Sequence, residues 1–305
     1  MDDGSDAECR VKGNFRIRGI RTTNPVAVGD FVQVADGWIT DVEERRNYII
    51  RRATNLSKES HILAANIDQA ALIVTVNHPV TSTTFIDRFL ATCEAYRVRA
   101  LLIFNKIDLL TEQELAQLAD LRALYESIGY QTMAISAKYL SGEAGLLHEL
   151  QGRVTLLSGN SGVGKSTLLN ALFGKEMTRT GKISDAHDKG MHTTTFSEMY
   201  FLSATRSVSE AVCQCNGLSG EAGLTSIIDT PGIKGFGSVD MQRDEVSHYF
   251  RDIFAVGRHC RFGNCTHTNE PGCAVQEALI TGDIAISRYE SYLSLLGDCD
   301  ESKYR

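Results

Sequence analysis

Two hydrophobic rhythms divide the chain. Up to about Arg52 the apolar residues come in short runs, FRIRGI, AVGDFVQVADGWITDV and NYIIRR, separated by Asn-Pro, Gly-Asp and Asp-Gly. These runs read as strands between turns. Phe15, Ile17 and Gly19-Ile20 alternate with Arg16, Arg18 and Arg21, as in a sheet with one basic, solvated face. Several short strands in so brief a stretch predict a small β-barrel of the OB type over residues 1–60.

From Asn66 the rhythm changes. DQAALIVTVN and RALLIFNKIDLL are near-continuous apolar runs, the mark of strands buried on both faces. Between them FIDRFLATCEAYRV carries Phe85, Phe89 and Cys93 at helical spacing. TEQELAQLADLRALYESIG opens with Thr111 and Glu114 as a capping box and stops at Gly129. QTMAISA and GRVTLLSG follow as strands, and a helix starts at Lys165. Alternation of strands and helices predicts a doubly wound α/β domain, mostly parallel, over residues 61–240. Residues 241–305 read as helical around a cluster of cysteines and a histidine.

The strand ends carry chemistry. Gly159, Asn160, Ser161, Gly162, Val163, Gly164, Lys165 and Ser166 form GNSGVGKS, a phosphate loop between an apolar strand and a helix. Its glycines let backbone N–H groups turn toward a polyphosphate, with Thr167 in the first helical turn. Lys165 would reach the β- and γ-phosphates, and the Ser166 hydroxyl would ligate Mg²⁺. TSIIDTPG ends a strand in Asp-x-x-Gly, where Asp229 can hold Mg²⁺ through water and the Gly232 N–H can sense the γ-phosphate. Between them lies HTTTF, His192 to Phe196. A threonine hydroxyl there, with Thr194 as the candidate, would complete the Mg²⁺ shell, although three β-branched residues also suit a strand start.

Two further motifs read a guanine base. In NKID the carboxylate of Asp108 can accept hydrogen bonds from guanine N1–H and the exocyclic amine, which adenine cannot match. The Lys106 stem can cover the base and Asn105 can brace the loop. Ser136, Ala137 and Lys138 form SAK after the next strand, where a backbone N–H can meet guanine O6. Both base motifs precede the phosphate loop, the reverse of the ordinary G-protein order. A parallel sheet tolerates re-cutting because its site is made by loops at one edge. The fold expected is a circularly permuted P-loop G domain, flanked by the OB-like barrel and a helical zinc module.

Composition narrows the setting. The net charge of −7 speaks against wholesale coating of nucleic acid. Arg10 to Arg52, however, holds nine Arg or Lys against five Asp or Glu, which suits a local phosphate-binding face or simply a solvated strand surface. Arg16, Arg18, Arg21, Arg45 and Arg46 are the candidate contacts to RNA phosphates. There is no long apolar run, and MDDGSDAECR has no apolar leader segment. A cytoplasmic protein is expected.

Eight cysteines without a secretion leader are not a disulfide framework. Cys260, Cys265, His267 and Cys273 follow C-x4-C-x-H-x5-C, three thiolates and an imidazole suited to a closed, structural Zn²⁺ site. His259 would compete only if that pattern shifted. Cys213 and Cys215 lie in the Ser/Gly/Ala-rich stretch 203–223, expected as an exposed loop.

Taken together, GNSGVGKSTLLN, the HTTT stretch, IIDTPG and CRFGNCTHTNEPGCAV resemble the RsgA (YjeQ, YloQ) family of ribosome-small-subunit-dependent GTPases, and the resemblance spans nearly the full chain. It implies a monomeric GTPase that binds the 30S subunit and its 16S rRNA late in maturation, is stimulated there and leaves on hydrolysis. GTP, Mg²⁺ and one Zn²⁺ are the implied ligands. The alternatives are an RNA-binding assembly factor with GTP as a switch, or another translational or tRNA-related GTPase. Ile233 follows Asp-x-x-Gly where many GTPases place a Gln, so slow intrinsic hydrolysis is expected. His192 is the internal candidate to orient the water.

Overall fold

The computed structural model describes residues 7–11, 25–52, 60–139, 142–173, 197–202, 225–230 and 241–301. Arg16, Arg18, Arg21, His192, Thr194, Gly232, Ile233 and the 203–223 stretch with Cys213 and Cys215 lie outside the described residues.

Strands form in AVGDFVQVADGWITDV and NYIIRR as expected, while FRIRGI lies outside the described residues. β1 (Arg10–Val11), β3 (Trp38–Val42) and β2 (Val32–Ala35) make a three-stranded sheet in that order. Asp36 and Gly37 join β2 to β3 with φ of 50° and 75°, as a two-residue hairpin turn of this twist requires. β4 (Tyr48–Arg52) pairs antiparallel with β5 (Ser60–Ala65). Among the described residues these strands form two sheets. Arg45 corrects an expectation. Its side chain is 5% exposed and forks onto both oxygens of Asp30 at 2.6 Å, so it fastens the Pro25–Asp30 turn and is closed to RNA. Arg46 keeps 62% of its side chain exposed beside Asp68.

The central sheet has six strands in the order β10 (Glu198–Phe201), β11 (Ser226–Asp229), β9 (Val154–Gly159), β6 (Gln69–Val74), β7 (Arg99–Phe104) and β8 (Gln131–Ala134). All neighbours run parallel except β10, which is antiparallel to β11. Alternate residues of one strand feed two cores. Ala70, Leu72 and Val74 face α1 (Thr83–Ala95) and α2 (Glu112–Ser127), while Ala71 and Ile73 face α3 (Glu143–Leu150) and α4 (Lys165–Phe173). That two-sided burial is why the strand sequences read as unbroken apolar runs. The capping box at Thr111 forms with both of its hydrogen bonds.

The chain starts this sheet in the middle. It runs outward through β6, β7 and β8, then returns to lay β9 beside β6 and continues to the opposite edge. The crevice between β6 and β9 is therefore the point where the winding reverses, which is where open α/β sheets bind ligands.

The C-terminal helices, α5 (Arg251–Gly257), α6 (Ala274–Thr281) and α7 (Ile286–Glu301), gather a third core with Met241, Val246, Phe250 and Tyr292. Ala91 of α1 belongs to it as well. Arg288 of α7 is 1% exposed and meets Asp252 of α5 through two hydrogen bonds, at 2.8 and 3.0 Å, and Asp87 of α1 at 2.7 Å. Tyr125 of α2 donates its hydroxyl to the same Asp87 oxygen at 2.9 Å. Burial raises the Asp87 carboxyl against the pull of Arg288. Burial also works against the Arg288 charge, but Asp252 and Asp87 more than offset it.

Removing one partner of such a pair strands a buried charge. Arg288→Ala is expected to cost about 3–5 kcal/mol. Arg122→Ala breaks a half-exposed i,i+4 pair with Glu126, worth about 0.3–0.5 kcal/mol. Urea titrations of the two variants check the contrast.

Candidate nucleotide site and metal centre

All the parallel strands deliver their C-terminal ends to one edge of the sheet, where NKID, SAK, the phosphate loop and Asp229 stand. Gly159 closes β9 opposite Ile73 of β6. A Cβ on Gly159 would lie 2.8 Å from the Ile73 carbonyl oxygen, so only glycine lets the phosphate loop depart there. The loop turns through Gly162 (φ 83°) and Gly164 (φ 99°) into α4. Val163 is buried beneath it, Asn160 is half-buried, and Ser161, Ser166 and Thr167 are exposed.

Asn105 joins the loops. Its side chain is buried, with Nδ2 donating to the Val163 carbonyl at 2.9 Å and Oδ1 accepting from the Ala137 N–H at 3.0 Å. One amide thus ties the phosphate loop to the Ser136–Lys138 loop. Lys106 follows in the left-handed conformation (φ 63°) and donates its ammonium to the His78 carbonyl. The short 3₁₀ turn Ile107–Leu109 then carries Asp108, whose Oδ1 accepts from the Ser136 hydroxyl. Asp108 is exposed at the crevice and held in orientation. Lys138 is exposed with its ammonium 4.9 Å from the Tyr139 ring centre.

On the other side of the phosphate loop, Lys165 donates to the Gly159 carbonyl at 2.7 Å. Burial lowers its pKa, with Asp229 working the other way. Burial pushes the Asp229 carboxyl up to about 6, Lys165 opposes this and Glu198 adds to it. Among the described residues Asp229 Oδ1, which is buried, finds no hydrogen-bond partner. A buried carboxylate oxygen without a partner is costly. A cation would satisfy it, and the exposed Ser166 hydroxyl in the first turn of α4 offers a further oxygen for one, so the residues fit Mg²⁺.

In the C-terminal core the ligand atoms of Cys260, Cys265, His267 and Cys273 all lie within 4.8 Å of one another. His267 Nδ1 is 3.5 Å from the sulfurs of both Cys260 and Cys273. His267 takes φ 59°. Its carbonyl accepts from Gln276 and from the Tyr289 hydroxyl, each at 2.7 Å. Glu270 braces the same turn through the Thr266 and Thr268 N–H groups. Three sulfurs and one imidazole converging from a buttressed loop are the donor set of a structural Zn²⁺ site.

Comparison with known proteins gives the same assignment. A family model described as RsgA GTPase matches residues 42–211. The chain is 54% identical over 309 residues to a Phocaeicola vulgatus protein named small ribosomal subunit biogenesis GTPase RsgA, covering all of this chain and 94% of that one. The chain belongs to the RsgA GTPase family. An RsgA of Porphyromonas gingivalis is also 54% identical, over 99% of this chain and 93% of its own. Two solved relatives share the fold. They are YjeQ from Thermotoga maritima, with TM-score 0.67, 32% identity and coverage of 95% and 89%, and YloQ, described as a circularly permuted GTPase, with TM-score 0.65, 28% identity and coverage of 99% and 89%. As an RsgA-family member the chain is a GTP hydrolase of the permuted type, and the geometry above fits GTP, Mg²⁺ and one Zn²⁺.

The structure adds residues to the site that the motifs did not announce. Pro79 lies 3.5 Å from where a Cβ of Gly162 would stand, and the His78 carbonyl receives Lys106. Asn-His-Pro after a strand signals a turn, but nothing local says that it flanks the phosphate loop. The SAK motif points to a loop backbone N–H, whereas the Ser136 hydroxyl also orients Asp108.

Two glycines give sharp tests. In Gly164→Ala the new Cβ would lie 2.4 Å from Asn105 Nδ2 at a φ unsuited to alanine. Strain of about 1–3 kcal/mol predicts roughly a ten- to hundredfold weaker GTP affinity with the circular dichroism spectrum retained, read by fluorescent-nucleotide titration. In Gly257→Ala the Cβ would come 2.9 Å from His267 Cε1. Faster zinc release to a chelator is expected, although alanine favours the α5 helix by up to about 1 kcal/mol.

Proposed function

We propose that this chain binds the small ribosomal subunit late in that subunit's maturation, hydrolyses GTP faster when bound, and leaves on hydrolysis. The observation that carries the reading is the Asn105 bridge, which makes the guanine-type and phosphate-type motifs one site. The subunit itself comes from the names that relatives bear. Its 16S rRNA is the surface proposed to meet the basic N-terminal residues, with Arg46, Arg16, Arg18 and Arg21 as candidates once Arg45 is set aside. A cytoplasmic monomer fits this role. Among the described residues no helix is long and apolar enough to cross a membrane.

We assign the roles as follows. Asp108 accepts from guanine N1–H and the amine, Lys106 covers the base, and Ala137 offers its N–H to the base oxygen. Gly159 to Thr167 cradle the phosphates, with Lys165 on the β- and γ-oxygens. Ser166, Thr194 and Asp229 hold Mg²⁺, which supplies charge neutralisation on the phosphates, and Gly232 senses the γ-phosphate. His192 orients the attacking water, a task the apolar Ile233 cannot perform. Three units serve the reading, over about residues 1–60, 61–240 and 241–305. The first boundary is drawn nearer Asn66, because β5 pairs with β4.

Measuring GTP turnover with and without purified 30S subunits tests the proposal. Stimulation is expected, and its absence overturns the ribosomal assignment. His192→Ala should lower the stimulated rate by about a hundredfold or more while GTP binding stays intact. Full stimulated turnover in that variant would remove His192 from the mechanism.

A further inference from the structure

Next to Asp229 the sheet breaks a rule of strand pairing. Glu198 opens β10 directly across from Asp229 in the antiparallel register. Residues so paired point to the same face with their Cβ atoms about 4.5–5.5 Å apart, and like charges there repel. Glutamate is also among the residues that strands disfavour. Glu198 is exposed, but its carboxylate has a partner. The Tyr200 hydroxyl, two residues on and so on the same face, donates to Glu198 Oε2 at 2.5 Å. The Tyr200 ring in turn packs against Phe173 of α4, with ring centres 5.7 Å apart. Two carboxylates are therefore held side by side where the phosphate-loop helix meets the sheet. Lys165, committed to the Gly159 carbonyl, offers one positive charge against these two negative ones, and among the described residues Asp229 Oδ1 is left buried without a partner.

We propose that Glu198 is a positioning residue of the magnesium site. It supplies a second negative charge beside Asp229 and acts on the ion through its water shell, and Tyr200 keeps its carboxylate in place. The inference rests on the reading that Asp229 faces Mg²⁺. Magnesium gives up its waters reluctantly and is commonly held by one or two protein carboxylates with several waters retained. A carboxylate beside the metal ligand can orient those waters as outer-shell groups do. The same ion relieves the repulsion that the register builds in, so the local conflict in the sheet has its compensation at the functional site.

The test is the Mg²⁺ dependence of nucleotide retention, without turnover. A fluorescent non-hydrolysable GTP analogue is bound, free Mg²⁺ is lowered stepwise with EDTA, and the midpoint of release is read. Glu198→Gln keeps the shape and removes the charge, and should raise the Mg²⁺ midpoint about tenfold, the lower end of the usual effect of outer-shell groups on metal affinity. Glu198→Asp should recover most of that loss, and Tyr200→Phe should fall between wild type and Glu198→Gln. In Mg²⁺-free, nucleotide-free protein the Glu198→Gln thermal midpoint should equal or exceed that of wild type, since a like-charge pair has been removed. A midpoint within twofold of wild type, or a Mg²⁺-free thermal midpoint that falls, overturns the proposal, the second result marking Glu198 as a fold residue. Asp229→Asn is the control. If it too leaves the Mg²⁺ midpoint unchanged, the magnesium assignment of Asp229 is what fails, and the inference fails with it.

Discussion

The side-chain amide of Asn105 spends both of its ends on backbone, the carbonyl on Ala137 and the amino group on Val163. Three loops that leave three different strands are thereby fixed relative to one another before any ligand arrives. A neutral amide suits the task because it donates and accepts at once, and its burial makes each bond expensive to lose. Gly164 must lack a side chain for the amide to come so close. Ser136 and Asp108 then inherit their orientation from the same frame. Preorganisation of this kind leaves little ordering cost for binding to meet.

The permutation leaves that frame intact. What the site needs is a set of strand ends at one edge, and the order β10-β11-β9-β6-β7-β8 supplies them whichever strand the chain visits first. What changes is where the chain goes afterwards. From Thr230 at the end of β11 the next described residue is Met241, already buried in the core of the C-terminal helices. The phosphate edge of the sheet and the zinc-bearing core are thus close neighbours along the chain.

Much of this was legible in the sequence. Continuous apolar runs gave the sheet because each strand is covered on both sides, and Thr111 with Glu114 marked a helix start through a local hydrogen-bond pair. The phosphate loop and the Cys/His set were readable because their chemistry fixes residue type and spacing within a few positions. Contacts between distant segments were not. Arg45 looked like one of a row of surface arginines, and only the fold brings Asp30 to it. Arg288 gave no sign of being buried, since its partners lie on α1 and α5. Glu198 acquired meaning only from a register across 31 positions of chain, to which neither strand alone bears witness.

The Asp87–Arg288–Asp252 cluster has a bearing on how such a protein can change over evolutionary time. The C-terminal helices share a buried charge with the GTPase core, so neither part has its interior charges balanced without the other. A recombinant that exchanged the zinc-bearing helices for those of a distant relative would have to bring its own cation for Asp87. Otherwise Asp87 would keep the Tyr125 hydroxyl but lose the cation that holds its charge in the interior. The seam between these regions is thus a filter on which rearrangements of the chain remain viable.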